Sequence, residues 1–167
     1  MLYLYKAISM KHLRYQNSEL DATDARILEA LIEDARISIA ELARSVRLSP
    51  PSVSERIKRL EESGVIEGYT LRINTEALGL PLGAWLRIRP LPGQVHKVAG
   101  LLRDLREIVQ CDRITGEDCF IARAHLRSMD DLETLIDRVL PFATTNTSII
   151  QSSPVERRLP PIPRTGG

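Results

Sequence analysis

The stretch RLSPPSVSERIKRLEESGVIEGY, residues 47–69, enters a helix through two consecutive prolines, loads it with Arg56, Lys58 and Arg59, and breaks it at Gly64 before a β-branched run. A proline in the first helical turn loses no hydrogen bond, because that N–H has no partner within the helix, and its fixed φ suits the helix. Ser49 is the expected N-cap. A residue before proline is pushed toward extended conformations, which suits Ser49 but not Pro50, so either proline can be the first helical residue. With two backbone donors removed, the helix tip is a poorer anion site than usual, and phosphate must be met mainly by side chains. Val53, Ile57 and Leu60 form one narrow apolar face. At about 100° per residue the outward positions are then Pro51, Glu55, Lys58, Arg59 and Glu62, with Ser52 and Arg56 along one edge.

Two helices are predicted upstream. In LDATDARILEALIEDA, residues 20–35, Ile27, Leu28, Leu31 and Ile32 recur at helical spacing, Asp21 and Asp24 resemble a capping box, and Leu20 is placed as a hydrophobic staple. In SIAELARSV, residues 38–46, Ser38 and Glu41 form an S-x-x-E box ahead of Leu42, Ala43 and Val46. Between residues 40 and 60, five basic residues face two acidic ones, in a chain whose formal net charge is only +1. Local clustering therefore carries the electrostatic signal. Two short helices joined by a tight turn, the second basic and followed by the strand-like VIEGYTLRI, residues 65–73, make the pattern of a winged helix-turn-helix.

The second half reads as strand, helix, hairpin, helix, strand. LGAWLRIRP, residues 82–90, alternates Ala84, Leu86 and Ile88 against Trp85, Arg87 and Arg89, and QVHKVAGLLRDLRE, residues 94–107, has helical spacing. IVQCDRI and CFIARAHL flank the loop TGED, residues 115–118, with Gly116 at the turn. SMDDLETLIDRVLPF, residues 128–142, opens with Ser128 as N-cap and Asp131 as its box partner, and TTNTSIIQSS supplies a last strand. This is the ferredoxin-like βαββαβ order, with helices on one face of an antiparallel sheet. The mixed surface of Trp85, Cys119 and Ile121 on the other face calls for a second copy to cover it.

The segments LDATDARIL, ARISIAELARSVRLSPPSVSERIKRLEESGVIEGY and ITGEDCF resemble the Lrp/AsnC family of feast/famine transcriptional regulators from about Leu20 to about Leu159. The resemblance implies an α+β protein with a winged helix-turn-helix domain over 20–69, a linker over 70–79, and a ferredoxin-like domain over 80–158 that oligomerises and binds small effectors, often amino acids. An extension, 1–19, precedes these, and an extended or disordered Pro-rich tail, 159–167, follows. Candidate contacts to double-stranded DNA are Arg47, Ser49, Pro51, Ser52, Ser54, Glu55, Arg56, Lys58 and Arg59. Candidate effector contacts are Thr115, Gly116, Glu117 and Asp118, although the family's usual G-D-Y-D pattern has lost its tyrosine here. Gly116 allows close backbone approach and positive φ, and Asp118 suits an ammonium group. The expected partners are DNA, a small amino-acid effector and a second copy of the chain in a homodimer, which the resemblance extends to ring-like assemblies.

Other classes find little support. The 167 residues, 43% apolar and 27% charged, have an ordinary globular composition. Cys111 and Cys119 form no CxxC, and His12, His96 and His125 are scattered, so neither a metal site nor a catalytic constellation is expected. No cofactor is expected, and no run is apolar enough for a membrane span, which leaves a cytoplasmic chain. Two alternatives stand beside the regulator. One is an enzyme like the related siroheme decarboxylases, and the other is an architectural DNA-binding protein without an effector.

Overall fold

The computed structural model describes residues 20–162, and the chain divides into two compact units that part after Leu71 and again after Glu156. The extension 1–19 and the end of the tail beyond 162 lie outside the described residues.

The first unit is built from α1 (Ala22–Glu33), α2 (Ile39–Val46) and α3 (Pro50–Glu62). Both predicted capping boxes form, Asp21 with Asp24 and Ser38 with Glu41. Ser49 caps α3 by accepting from the Ser52 N–H, so Pro50 is the first helical residue and Pro51 the second. Ile27, Leu42, Ala43, Val46, Val53 and Leu60 close the core, with Leu20, Leu28 and Ile57 packed against it. Ile32 departs from the predicted stripe and stays 46% exposed. It lies about 100° around the helix from Leu31, beyond the edge of the contact.

Arg47, in the turn between α2 and α3, has φ 57° and ψ 47° and is the one non-glycine residue of positive φ among those described. Its N–H donates to the carbonyls of Ala43 and Arg44, and the Leu48 N–H donates to Ala43 at 2.9 Å. These bonds satisfy carbonyls that the helix end would otherwise leave free. After α3, Gly64 takes φ 77°, and Val65 and Ile66 fold back onto the core.

The strand expected over 65–73 does not form among the described residues. Tyr69 donates its hydroxyl to the Glu61 carboxylate at 3.0 Å, while Tyr69, Leu71 and Ile73 are exposed. The alternation sets which way side chains point, but a ladder also needs a neighbouring backbone.

The second unit runs β1 (Leu82–Pro90), α4 (Val95–Asp104), β2 (Ile108–Arg113), β3 (Phe120–Leu126), α5 (Met129–Val139) and β4 (Ala143–Ile149). The sheet order is β2-β3-β1-β4, with every pair antiparallel. Ala84, Leu86 and Ile88 of β1 and Phe120, Ala122, Ala124 and Leu126 of β3 share one buried face with Val98 and Leu102 of α4 and Leu132, Leu135 and Val139 of α5. On the opposite face Trp85 stands beside Arg123, Arg87 beside Ile121 and Asn146, and Arg89 beside Thr144. The edge strand β2 is interrupted by a bulge between Ile108 and Gln110.

At α5, Ser128 caps as expected by accepting from the Asp131 N–H, but the reciprocal half of the box is missing. The Asp131 carboxylate instead takes the Arg127 guanidinium at 3.0 and 3.2 Å, a charge-assisted pairing stronger than a bond to a neutral amide.

A side chain in the left-handed region costs about 1–2 kcal/mol, which glycine avoids at some entropic expense. Arg47→Gly is therefore expected to stabilise the protein by up to about 1 kcal/mol, and Arg47→Val to destabilise it. Urea unfolding midpoints check both directions.

Candidate nucleic-acid interface and effector recess

Two aspartates in and before the first turn of α1 serve two ends at once. The Oδ1 atom of Asp21 accepts from the N–H groups of Thr23 and Asp24, both at 2.8 Å, and its Oδ2 accepts from Arg56 Nη1 at 2.6 Å. Asp24 is 1% exposed, the only buried charged residue among those described. Its Oδ1 takes Arg56 Nη1 at 2.8 Å and its Oδ2 takes Arg59 Nη2 at 2.7 Å. The helix cap and the clamp on α3 thus use the same carboxylates. A buried carboxylate is tolerable only when its lone pairs are met, and here two guanidiniums meet them. Burial pushes the Asp21 carboxyl up, but the amides of Asp24 and Thr23 and the Arg56 guanidinium together hold it below its ordinary value. The hydrogen bonds that Arg56 donates to Asp21 and Asp24 correspondingly raise its own pKa.

The clamp sorts the nine candidate DNA contacts. Arg56 is mostly covered, whereas the Arg59 side chain remains 58% exposed while its Nη2 holds Asp24. Pro51, Ser52, Ser54, Glu55 and Lys58 are exposed along the helix, and Arg47 and Ser49 are exposed in the turn before it. The Ser49 and Ser52 hydroxyls lie 2.7 Å apart, and the Ser54 hydroxyl donates to the Pro50 carbonyl at 3.1 Å. Lys58 reaches only 3.8 Å from Glu62, both well exposed, a pair that contributes little.

The four effector candidates lie on the loop between β2 and β3. Thr115, Gly116 and Glu117 are exposed and Asp118 is half-buried. Gly116 has φ 114°, and nothing stands within 4 Å of where a Cβ would be, so conformation rather than close approach within the chain requires glycine there. Asp118 alone of the four lines a recess of about 210 Å³, which Arg87, Arg89, Thr144, Thr145 and Asn146 complete. Arg89 pairs with Glu117 and approaches Asp118 at 3.7 Å. The strand residues of this recess were visible in the sequence as the outward half of the β1 alternation, but nothing local linked them to the loop or to β4.

Desolvation by burial, followed by the charge of Arg123, lowers the pKa of His125. No group of three or more His, Cys, Asp or Glu able to hold a metal occurs among the described residues.

A winged helix-turn-helix DNA-binding model matches residues 20–67, and a Lrp/AsnC ligand binding domain model matches residues 84–160. The chain is 35% identical over 134 residues to the HTH-type transcriptional regulator LrpC of Bacillus subtilis, covering 80% of this chain and 93% of that one. The solved LrpC structure is similar to it with a TM-score of 0.80, covering 84% of this chain and all of the other, at 34% identity. A feast or famine regulatory protein from Mycobacterium tuberculosis, complexed with L-methionine, is similar with a TM-score of 0.79 at 32% identity, covering 86% and 99% of the two chains.

Removing Arg56 leaves the buried Asp24 carboxylate short of a donor, so Arg56→Ala is expected to cost about 1–3 kcal/mol at neutral pH. Because the folded pKa of Asp21 lies below its unfolded value of about 3.9, its contribution is complete above that pH and is lost as pH falls through the folded value. Arg56→Ala is expected to flatten that acid limb, as urea midpoints measured across the range reveal.

Proposed function

The chain belongs to the Lrp/AsnC family of DNA-binding transcriptional regulators, and we propose that it reads double-stranded DNA as a homodimer while an amino acid beside residues 115–118 biases its assembly. The observation that carries this reading is the outward face of α3. Pro51, Ser52, Ser54, Glu55 and Lys58 have no part in the core, yet the helix that presents them is fixed by the Asp24 clamp.

In this reading Lys58, Arg47 and Arg59 meet phosphates, and Ser49, Pro51, Ser52, Ser54 and Glu55 lie toward the base edges. Arg56 contributes by fixing the helix. The open sheet face supports pairing of two copies. Trp85 and Ile121 are half-buried there, whereas Cys119, expected on the same face, precedes β3 and packs against the core instead, and Arg123 Nε and His125 Nδ1 are buried without a hydrogen-bond partner. A two-fold axis then sets two recognition helices about 34–36 Å apart, on successive major grooves of a near-palindromic site. Closure of dimers into larger rings uses a second interface, related by a further rotation. The methionine complex of the Mycobacterium tuberculosis neighbour supports an amino acid as the class of effector. An effector acts only through a difference in affinity between two assemblies or two placements of the DNA-binding domains. A regulator of this kind works in the cytoplasm, and no helix among the described residues is long and apolar enough to cross a membrane.

Mapping the chain's binding sites on its own genome supplies the operator for the decisive measurements. Lys58→Ala is expected to weaken binding to all sequences and to flatten the dependence of log K on log salt by about one unit. Ser52→Ala or Glu55→Ala is expected to change base preference more than overall affinity, and a selection returning the wild-type motif would refute that. A fragment spanning 80–162 is expected to sediment as a dimer, and a monomer there would remove the pairing argument. Amino acids are screened by thermal shift. A protein that binds its operator but no amino acid is an architectural DNA-binding protein.

A further inference from the structure

The clamp between α1 and α3 has an electrostatic side as well as a mechanical one. α3 carries three basic residues, Arg56, Lys58 and Arg59, and two of them place their guanidiniums on the carboxylates at the start of α1. Asp21 and Asp24 thus bring two negative charges to two positive ones. Lys58 is left with Glu62 at 3.8 Å, a distant and well exposed partner. Asp24 is 1% exposed, so salt screens its pairs far less than it screens a surface pair. Arg59 keeps 58% of its side chain exposed, on the helix that also presents Ser52, Glu55 and Lys58. A phosphate arriving there and the Asp24 carboxylate compete for one guanidinium. Surrendering it to the phosphate leaves a buried charge short of a donor.

Non-specific binding to DNA grows with the basic charge a protein brings to the phosphates, whereas sequence is read at the base edges. We propose that Asp24 is a specificity-determining residue: by holding Arg56 and Arg59 it withholds charge from the phosphates of every sequence and leaves discrimination to the exposed residues of α3. The proposal rests on the reading of α3 as the helix that meets DNA. It adds a residue of another helix, buried and acidic, whose loss strengthens binding to the wrong sequences. A carboxylate that served only to fix α3 has the opposite signature, because loosening the helix weakens binding to any DNA.

Salt titrations of the full chain with its operator and with an unrelated duplex of equal length, for wild type and Asp24→Asn, separate the two. Asparagine keeps the size of the side chain and one oxygen but not the charge. The dependence of log K on log salt is expected to steepen by about one unit on both duplexes, opposite in sign to the flattening expected of Lys58→Ala. Affinity for the unrelated duplex at low salt is expected to rise about threefold or more, and operator affinity less, so that their ratio falls. Adding Arg59→Gln to Asp24→Asn is expected to restore the wild-type slope. An unchanged or shallower slope in Asp24→Asn, or an unchanged ratio, overturns the proposal and leaves the reading of α3 standing. If Asp24→Asn does not fold, Asp21→Asn decides the matter, since it keeps an equally good helix cap at an exposed position. A steeper slope there supports the withholding of charge, and an unchanged or shallower one refutes it. A wild-type chain that binds neither duplex overturns the reading of α3 itself.

Discussion

The alternation of β1 is the constraint on which the second unit depends. Ala84, Leu86 and Ile88 enter the core at 0% exposure, so Trp85, Arg87 and Arg89 have no choice but to stand on the other face. Period two leaves no intermediate arrangement, since a one-residue slip would bury the arginines and expose the aliphatics together. β1 is also paired on both sides, with β3 and with β4. A single nine-residue strand thus positions the core, the recess and the sheet face opposite the helices.

The first unit solves a different problem with a polar device. Three short helices bury few residues, and small cores leave neighbouring helices loosely oriented. The Asp24 carboxylate supplies direction that apolar packing does not, because each guanidinium must approach along a lone pair. Arg56 and Arg59 lie three residues apart on α3 and so share one side of it, which makes the pair a two-point attachment. Replacing such a cluster with apolar groups of similar size is often neutral for stability, so its value here lies in orientation.

Much of this was legible in the chain itself. Caps at Asp21, Ser38, Ser49 and Ser128, the stop at Gly64 and every strand and helix of the second unit follow from local chemistry, because each depends on residues a few positions apart. What local patterns do not contain is partnership over distance. The pairing of Asp24 with Arg56 spans 32 positions and that of Arg89 with Glu117 spans 28. A helical wheel therefore places Arg59 outward without revealing that one of its nitrogens turns back to α1. The loop 115–118 was likewise visible as a turn, but Arg87 and Asn146 join Asp118 only through the register of three strands.

The bulge in β2 bears on how the chain avoids growing without limit. A sheet edge is an unfinished ladder, and a straight edge invites a further strand from any passing molecule, each addition recreating the invitation. The extra residue between Ile108 and Gln110 breaks the even spacing of donors and acceptors and sharpens the local twist, so that edge is a poor template. A face behaves otherwise. Once covered by a two-fold mate it presents nothing more to cover, and association ends at a defined number of copies.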